Sequence, residues 1–413
     1  MSARPVAPGF SPLDDELALL PGHLTPRVQE ALVRLSTWIP SFAKAADELA
    51  WFTQVQVGRE TARRLTEAAG ATAVAQQNAA AEHILQHHPA PPPGPEQLVF
   101  SVDGAMIPLV HGVWTEVRTL AVGEVVVAPG EAGVPASHTT DLSYFSRRSD
   151  SVTFTDQAVV ELHRRGVERA VRVGAVGDGA EWCQQFIDVH APHALRMLDF
   201  PHAAEYVCAI GAHAADDGPL LTPSERITML HDLKHQGPEG VLERLRRLIQ
   251  EQATSEELTT QLNYLQKRTA QMRYPQFQSE GWPIGSGMVE SANKLVVEDR
   301  LKGAGMHWAD GNVNPLLALR NAVCNDRWEE VWAQIEQGQR QHQILQRRAR
   351  QHRRRLTPTS TQPARASAAA PCTAPPAAPA AAAPRIGDGR PAANHPWRKA
   401  WSIRQQCKDA AAR

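Results

Sequence analysis

The sequence has little cysteine and no long apolar run. Its five cysteines among 413 residues (Cys183, Cys208, Cys324, Cys372 and Cys407) form no CxxC pair, so neither a disulfide framework nor a cysteine-based zinc site is supported. No stretch approaches the roughly 18–20 consecutive apolar residues of a membrane span. The first twenty residues, MSARPVAPGFSPLDDELALL, lack the basic-then-apolar layout of a signal peptide. These absences predict a cytoplasmic protein. The length allows two or three domains with at least one sizeable core.

The charge of one sign is missing only on average. The formal net charge is −1, yet residues 340–413 hold 15 Lys and Arg against 2 Asp and Glu, leaving 28 bases and 42 acids in residues 1–339. A basic tail on an acidic body fits a polyanion partner reached through the tail, and fits a solvated extension equally well.

Composition and periodicity divide the chain. Residues 1–88 read as helical and hold a helix pair with a break near Val57-Gly58, suited to a helix-turn-helix reader of DNA or to an ordinary α domain. Thr25-Pro26 marks a helix start. HHPAPPPGPEQ makes 89–97 a Pro-rich hinge. The text then changes to strands: LVFSVDGAMIPL ends near Asp103, WTEVRTLAVGEVVVA is a further strand or hairpin, TFTDQAVVELHRRG is an amphipathic helix, and RAVRVGAVGDGAEW and HALRMLDFPHAAEYV each contain a strand. This order predicts a mixed α/β sheet with flanking helices over 98–202. Residues 203–280 read as an all-α segment, 281–340 return helices to the core, and 341–413 form a basic, Pro/Ala-rich tail expected to be largely disordered.

Two acids follow apolar strands and precede glycine: Asp103 in FSVDGAMIP and Asp178 in AVGDGAEW. Strand ends of this kind are favoured ligand positions, although Asp-Gly is also among the commonest turn signals. A third acid, Glu290, sits in WPIGSGMVESANK, on a helix opened by a Pro and two Gly residues. Three carboxylates gathered together need a cation between them. Hard oxygen ligands favour Mg²⁺, with Mn²⁺ as a substitute, and suit two-metal displacement at phosphorus. Glycoside hydrolysis also uses paired carboxylates, but aromatics are scarce around these acids and the tail is basic.

The segments SVDGAMIP, VGDGAEWC, LDFPHAAEY and WPIGSGMVESANKLVVEDRLKGAGMHW resemble the core motifs of DDE transposases of bacterial insertion sequences, the ISKra4-like group. The resemblance runs from about Ser11-Pro12-Leu13-Asp14 to NHPWR, and PIGSGMVES…RLKGAGMHW is its most specific part. It implies an RNase H-like fold with Asp103 on the first strand, Asp178 after the fourth and Glu290 on a late helix, all three catalytic and metal-binding. It makes 203–280 an insertion domain between the second and third acids. It gives Asp199 and His202, in DFPH, a supporting part like that of the D-x-x-H signature in Mutator-like and hAT-like enzymes. From the residues alone, a capping Asp with a core-edge His is an equal reading. Pro201 stands where an aromatic is usual, and members of the group carry more sequence ahead of the Pro-Leu-Asp motif, so a shortened copy is one expectation.

Asn293, Lys294, Arg300 and Lys302 follow Glu290 and are candidates to hold DNA phosphates, or else form a charged helix face. Arg347, Arg348, Arg350, Arg353, Arg354 and Arg355 make a basic stripe suited to the DNA backbone. The function implied is Mg²⁺-dependent cleavage at transposon ends and strand transfer, on double-stranded DNA and by at least a dimer. The alternatives are a catalytically inactive or truncated DNA-binding derivative and an RNase H-like nuclease without strand transfer.

Overall fold

The computed structural model describes residues 24–129, 135–215, 218–252 and 255–356. The Pro-Leu-Asp motif and the Pro/Ala-rich tail after 356 lie outside the described residues. The chain separates into two units, Met1–Gln339 and Arg340–Arg413, and the architecture below is that of the first.

Three helices come first: α1 (Pro26–Trp38), α2 (Phe42–Thr53) and α3 (Arg59–His87). Thr25 caps α1 through the Val28 N–H, with Pro26 in the first turn, as the Thr-Pro pair predicts. The break falls at residues 54–58, but the second member of the expected pair is a 29-residue helix. Its Ala62, Leu65, Ala69 and Ala73 are buried with Leu319, Ala322 and Trp328, so α3 packs on the core along much of its length. Gly70 permits this closeness: a Cβ there would lie 2.2 Å from the Pro315 carbonyl oxygen.

Strands β1 (Gln97–Pro108), β2 (Trp114–Pro129) and β3 (Pro135–Arg147) precede α4 (Ser151–Arg164), β4 (Arg172–Gly177), α5 (Glu181–His190) and β5 (Leu195–Leu198). The sheet order is β3-β2-β1-β4-β5. β2 runs antiparallel to β1 and β3, whereas β4 and β5 run parallel. This is the mixed sheet of an RNase H-like fold. Its central strands are covered on both faces. Leu98, Phe100 and Val102 meet Phe154 of α4 and Phe186 of α5, while Val99, Ala105 and Ile107 join the opposite core. Burial on both faces explains why LVFSV reads as a continuous apolar run rather than an alternating one.

The segment 200–279 supplies α6 (Phe200–Gly211), a short β6–β7 ribbon (Ala214–Ala215 with Gly218–Pro219), α7 (Pro223–His235), α8 (Pro238–Gln252), α9 (Glu256–Gln266) and α10 (Tyr274–Ser279). Its Met229, Leu233, Leu245 and Leu265 belong to the same buried cluster as Val99 and Ile107 of β1. These helices therefore share a core with the sheet. The chain then forms α11 (Gly287–Ala292), a π-helical turn (Asn293–Glu298), α12 (Asp299–Leu301), α13 (Asp310–Cys324) and α14 (Trp328–Leu356). The boundary expected at 341 lies one residue from the division between the two units, and the Glu/Gln/Arg-rich text there is helical. Among the described residues no helix is long and apolar enough to cross a membrane.

The residue pattern marks no strand over 135–147 and allows only one strand or hairpin near WTEVRTLAVGEVVVA, although the resemblance, with Asp178 after the fourth strand, implies one more. The structure makes that stretch a single strand and pairs it with PASHTTDLSYFSR. The signal is weak because β3 is an edge strand rich in polar residues. Its outer edge is closed by side chains of α13 and of Asn325, the residue that caps it. Asn325 exchanges two hydrogen bonds of 2.8 Å with the Tyr144 backbone. Asn321 does the same for Ser146 at 3.0 and 3.2 Å, and Asn314 for Arg148 at 2.8 and 3.0 Å. Alternate residues of an edge strand present their backbone outward, and three amides along one helix face meet that spacing.

Asn321→Leu leaves the buried Ser146 N–H and C=O unpaired. It is expected to lower unfolding stability by about 2–4 kcal/mol, measured by chemical denaturation.

Candidate active site

Asp103 lies on the first strand, as the resemblance implies, but not at its end. β1 does not end there but continues to Pro108 against β2, pairing Asp103 with Thr119. The parallel ladder to β4 stops at Phe100–Ala175. That ladder runs with a constant offset of 75 residues from Gln97–Arg172 to Phe100–Ala175. Continuing it places Asp103 beside Asp178, the first residue past β4. Asp103 is thus mid-strand for one neighbour and beyond the ladder's end for the other.

The Asp178 carboxylate accepts the Ala180 N–H at 2.8 Å, and the Cys183 thiol lies 3.6 Å from the same oxygen. Burial, followed by the charges of Asp178, Asp103 and Glu116, pushes the Cys183 thiol well above its ordinary range. This keeps it protonated, and a protonated thiol is a poor nucleophile. The same influence reveals Glu116 of β2 as a further acid near the pair. Glu116 is paired with Arg118 at 2.6 Å, and no motif in the sequence marked it.

Glu290 sits in the first turns of α11, whose Met288, Val289 and Ala292 are buried in the core shared with the sheet. Three residues on, the Asn293 amide donates to Asp103 Oδ2 at 2.9 Å, tying the Glu290 helix to β1. Asn293 is 7 % exposed, and its Oδ1 has no hydrogen-bond partner among the described residues. It starts the π-helical turn, a rare geometry frequent at functional sites. The sequence placed Asn293 among phosphate contacts; the structure places it on Asp103.

Asp199 caps α6. One oxygen accepts the His202 backbone N–H at 3.0 Å, and the other accepts the Ser286 N–H at 2.6 Å, just ahead of α11. Its own N–H reaches the Gly177 carbonyl at 2.7 Å, and Phe200 N–H reaches the Ile284 carbonyl at 2.9 Å. Burial pushes the Asp199 carboxyl above its ordinary range, opposed by the bonds it accepts from Ser286 and His202, with the Glu290 charge adding to the rise. The ring of His202 stands edge-on to Tyr206 at 5.2 Å and to Tyr264 at 6.0 Å.

The basic candidates separate. Lys294 is exposed, and Lys302 pairs with Glu298 at 2.6 Å. Arg300 is a correction: it is fully buried, donates to the Ser36 carbonyl at 3.0 Å, and lies over Phe42 and Trp308 at 4.9 and 5.1 Å. Burial lowers its pKa to about 10. A cation enclosed by aromatic rings and a helix end cannot reach a phosphate. Arg347, Arg348, Arg350, Arg353, Arg354 and Arg355 fall in α14, with side chains outside the described residues.

No protein-family model matches the chain, and no curated protein matches it. The chemistry of the site therefore rests on its own residues. Among the described residues no group of three or more His, Cys, Asp or Glu side chains is arranged to hold a metal ion. The donors nonetheless suit a hard divalent cation in kind: two carboxylates that the continued β1–β4 register sets side by side, and a buried amide oxygen without a partner among the described residues.

Asp199→Ala leaves two backbone N–H groups without an acceptor and is expected to cost about 2–4 kcal/mol. A raised carboxyl pKa holds its proton more tightly in the folded state. Its stabilising contribution is full below the ordinary carboxylate range and is lost as pH rises through the raised value. Denaturation curves across that range should show wild type losing stability relative to Asp199→Ala as pH increases.

Proposed function

We propose that the chain is a DDE-type transposase, cleaving and joining DNA strands with a divalent metal. The observation that carries this reading is the β1–β4 register, which, continued past its last pair at Phe100–Ala175, sets Asp103 beside Asp178. The amide of Asn293 linking the Glu290 helix to that pair supports it.

Asp103 and Asp178 would hold Mg²⁺ or Mn²⁺, with Glu290 completing the set. The bound ion supplies positive charge for in-line displacement at phosphorus. The chain's own groups orient the donors. Asn293 fixes one oxygen of Asp103, and the Ala180 N–H fixes one of Asp178. The neutral Cys183 thiol adds no competing charge. The exposed Lys294, next in sequence to Asn293, is suited to the phosphate backbone of duplex DNA. Two transposon ends brought together would require at least two copies of the chain.

A second reading, a DNA-binding protein without cleavage, is favoured by the lack of a gathered three-carboxylate group among the described residues. One experiment separates the readings. Duplexes carrying the DNA that flanks the coding segment are incubated with the full chain and Mg²⁺ or Mn²⁺, and binding, cut strands and joined products are scored. The transposase reading expects binding, cutting and joining. Asp103→Asn, Asp178→Asn and Glu290→Gln should each lower cutting by at least about 100-fold while binding persists. Binding without cutting in wild type supports the second reading, and cutting without joining indicates a nuclease. Near-normal cutting by any variant removes that residue from the site.

A further inference from the structure

The turn after β4 is held from outside the sheet. Tyr264 of α9 donates its hydroxyl to the Asp178 carbonyl. Arg268, just past the same helix, donates to the Gly179 carbonyl through Nη2 at 2.6 Å and Nε at 3.2 Å. Its guanidinium lies 3.7 Å from the centre of the Tyr264 ring. Tyr206 stacks on that ring at 4.3 Å and 7°. Two groups so close must occupy opposite faces, so the tyrosine is clamped between them.

Gly179 is fitted to this arrangement. Its φ is +76°, where a side chain is strained, and a Cβ would sit 2.5 Å from Arg268 Nε and 2.8 Å from the Tyr264 hydroxyl. With the Ala180 N–H turned onto the Asp178 carboxylate, three backbone groups of the turn are fixed. Two of them are fixed by residues more than eighty positions away. The β4–β5 ladder pairs Gly177 with Leu198 and goes no further, so the sheet itself does not fix the Asp178 carbonyl.

We infer that Tyr264 and Arg268 are positioning residues that set the backbone of the Asp178 turn. On this assignment the helical segment 200–279 positions one member of the proposed cation-holding pair, Asp178. Neither residue touches the Asp178 carboxylate; both act through the carbonyls beside it. The assignment rests on the proposed metal-dependent reaction.

The test is Mn²⁺ titration of the full chain by calorimetry, with thermal unfolding alongside, for wild type, Asp178→Asn, Tyr264→Phe, Arg268→Met and Arg268→Lys. Tyr264→Phe keeps the ring stack and removes only the hydroxyl. Supporting residues around a metal site typically change affinity by about 10–100-fold. Tyr264→Phe and Arg268→Met are expected to weaken Mn²⁺ binding by about 10-fold, with Arg268→Lys recovering part of the loss and Tyr264→Phe unfolding at the wild-type temperature. Wild-type affinity in Tyr264→Phe and Arg268→Met, with Asp178→Asn impaired, overturns the inference and leaves the metal site standing. Equal affinity in wild type and Asp178→Asn overturns the metal site and the inference with it. Should Arg268→Met fail to fold, Tyr264→Phe alone decides.

Discussion

The constraint on which the rest depends is the buried carboxylate of Asp199. It stands where β5 ends, where α6 begins and where the chain returns before the Glu290 helix. By accepting N–H groups from His202 and Ser286, it satisfies two helix-start donors that have no intrahelical partner. Backbone bonds from the same point to Gly177 and Ile284 draw the end of β4 and the return segment together. Were the 284–286 segment placed elsewhere, α11 would not meet the sheet and Asn293 would not meet Asp103. Asp199 thus takes the capping role that the residues alone allowed, and it does so for two segments at once.

Around that point the site is assembled by polar reach across long stretches of chain. Asn293 spans 190 residues to Asp103, and Tyr264 spans 86 to the Asp178 carbonyl. Such contacts order side chains whose freedom is costly to lose. They persist where the surrounding helices are already fixed by apolar burial, as α9 is through Leu258, Leu262 and Leu265.

The same economy appears at two other places. The π-helical turn after α11 spreads its carbonyls, and the buried Arg320 donates to those of Leu295 and Val296, while Arg300 closes the end of α1 through Ser36. Neither arginine has a carboxylate partner among the described bonds. They meet helix-end carbonyls and aromatic faces instead. At the sheet edge, amides of α13 replace a missing strand. A fold with polar residues at these internal positions gains specific docking, since a shifted helix would leave each of them unpaired.

Much of this was legible in the sequence because it depends on local pattern. Apolar periodicity located the helices, the change to β-rich text located β1, β2, β4 and β5, and Gly beside Asp marked the two acids. Thr25-Pro26 and DFPH marked helix starts. What tertiary structure decided lies in contacts that no local window contains. Arg300 and Lys294 look alike in one charged helix, yet one is sealed under Phe42 and Trp308 and the other is exposed, because only packing chooses which helix face is inside. β3 has little pattern of its own, since its pairing partners lie on β2 and on α13. Asp103 sits mid-strand because β2 continues where β4 stops. Glu116, Tyr264 and Arg268 joined the site only when the chain folded, because distance in space sets electrostatic influence and hydrogen bonding, and distance in sequence does not.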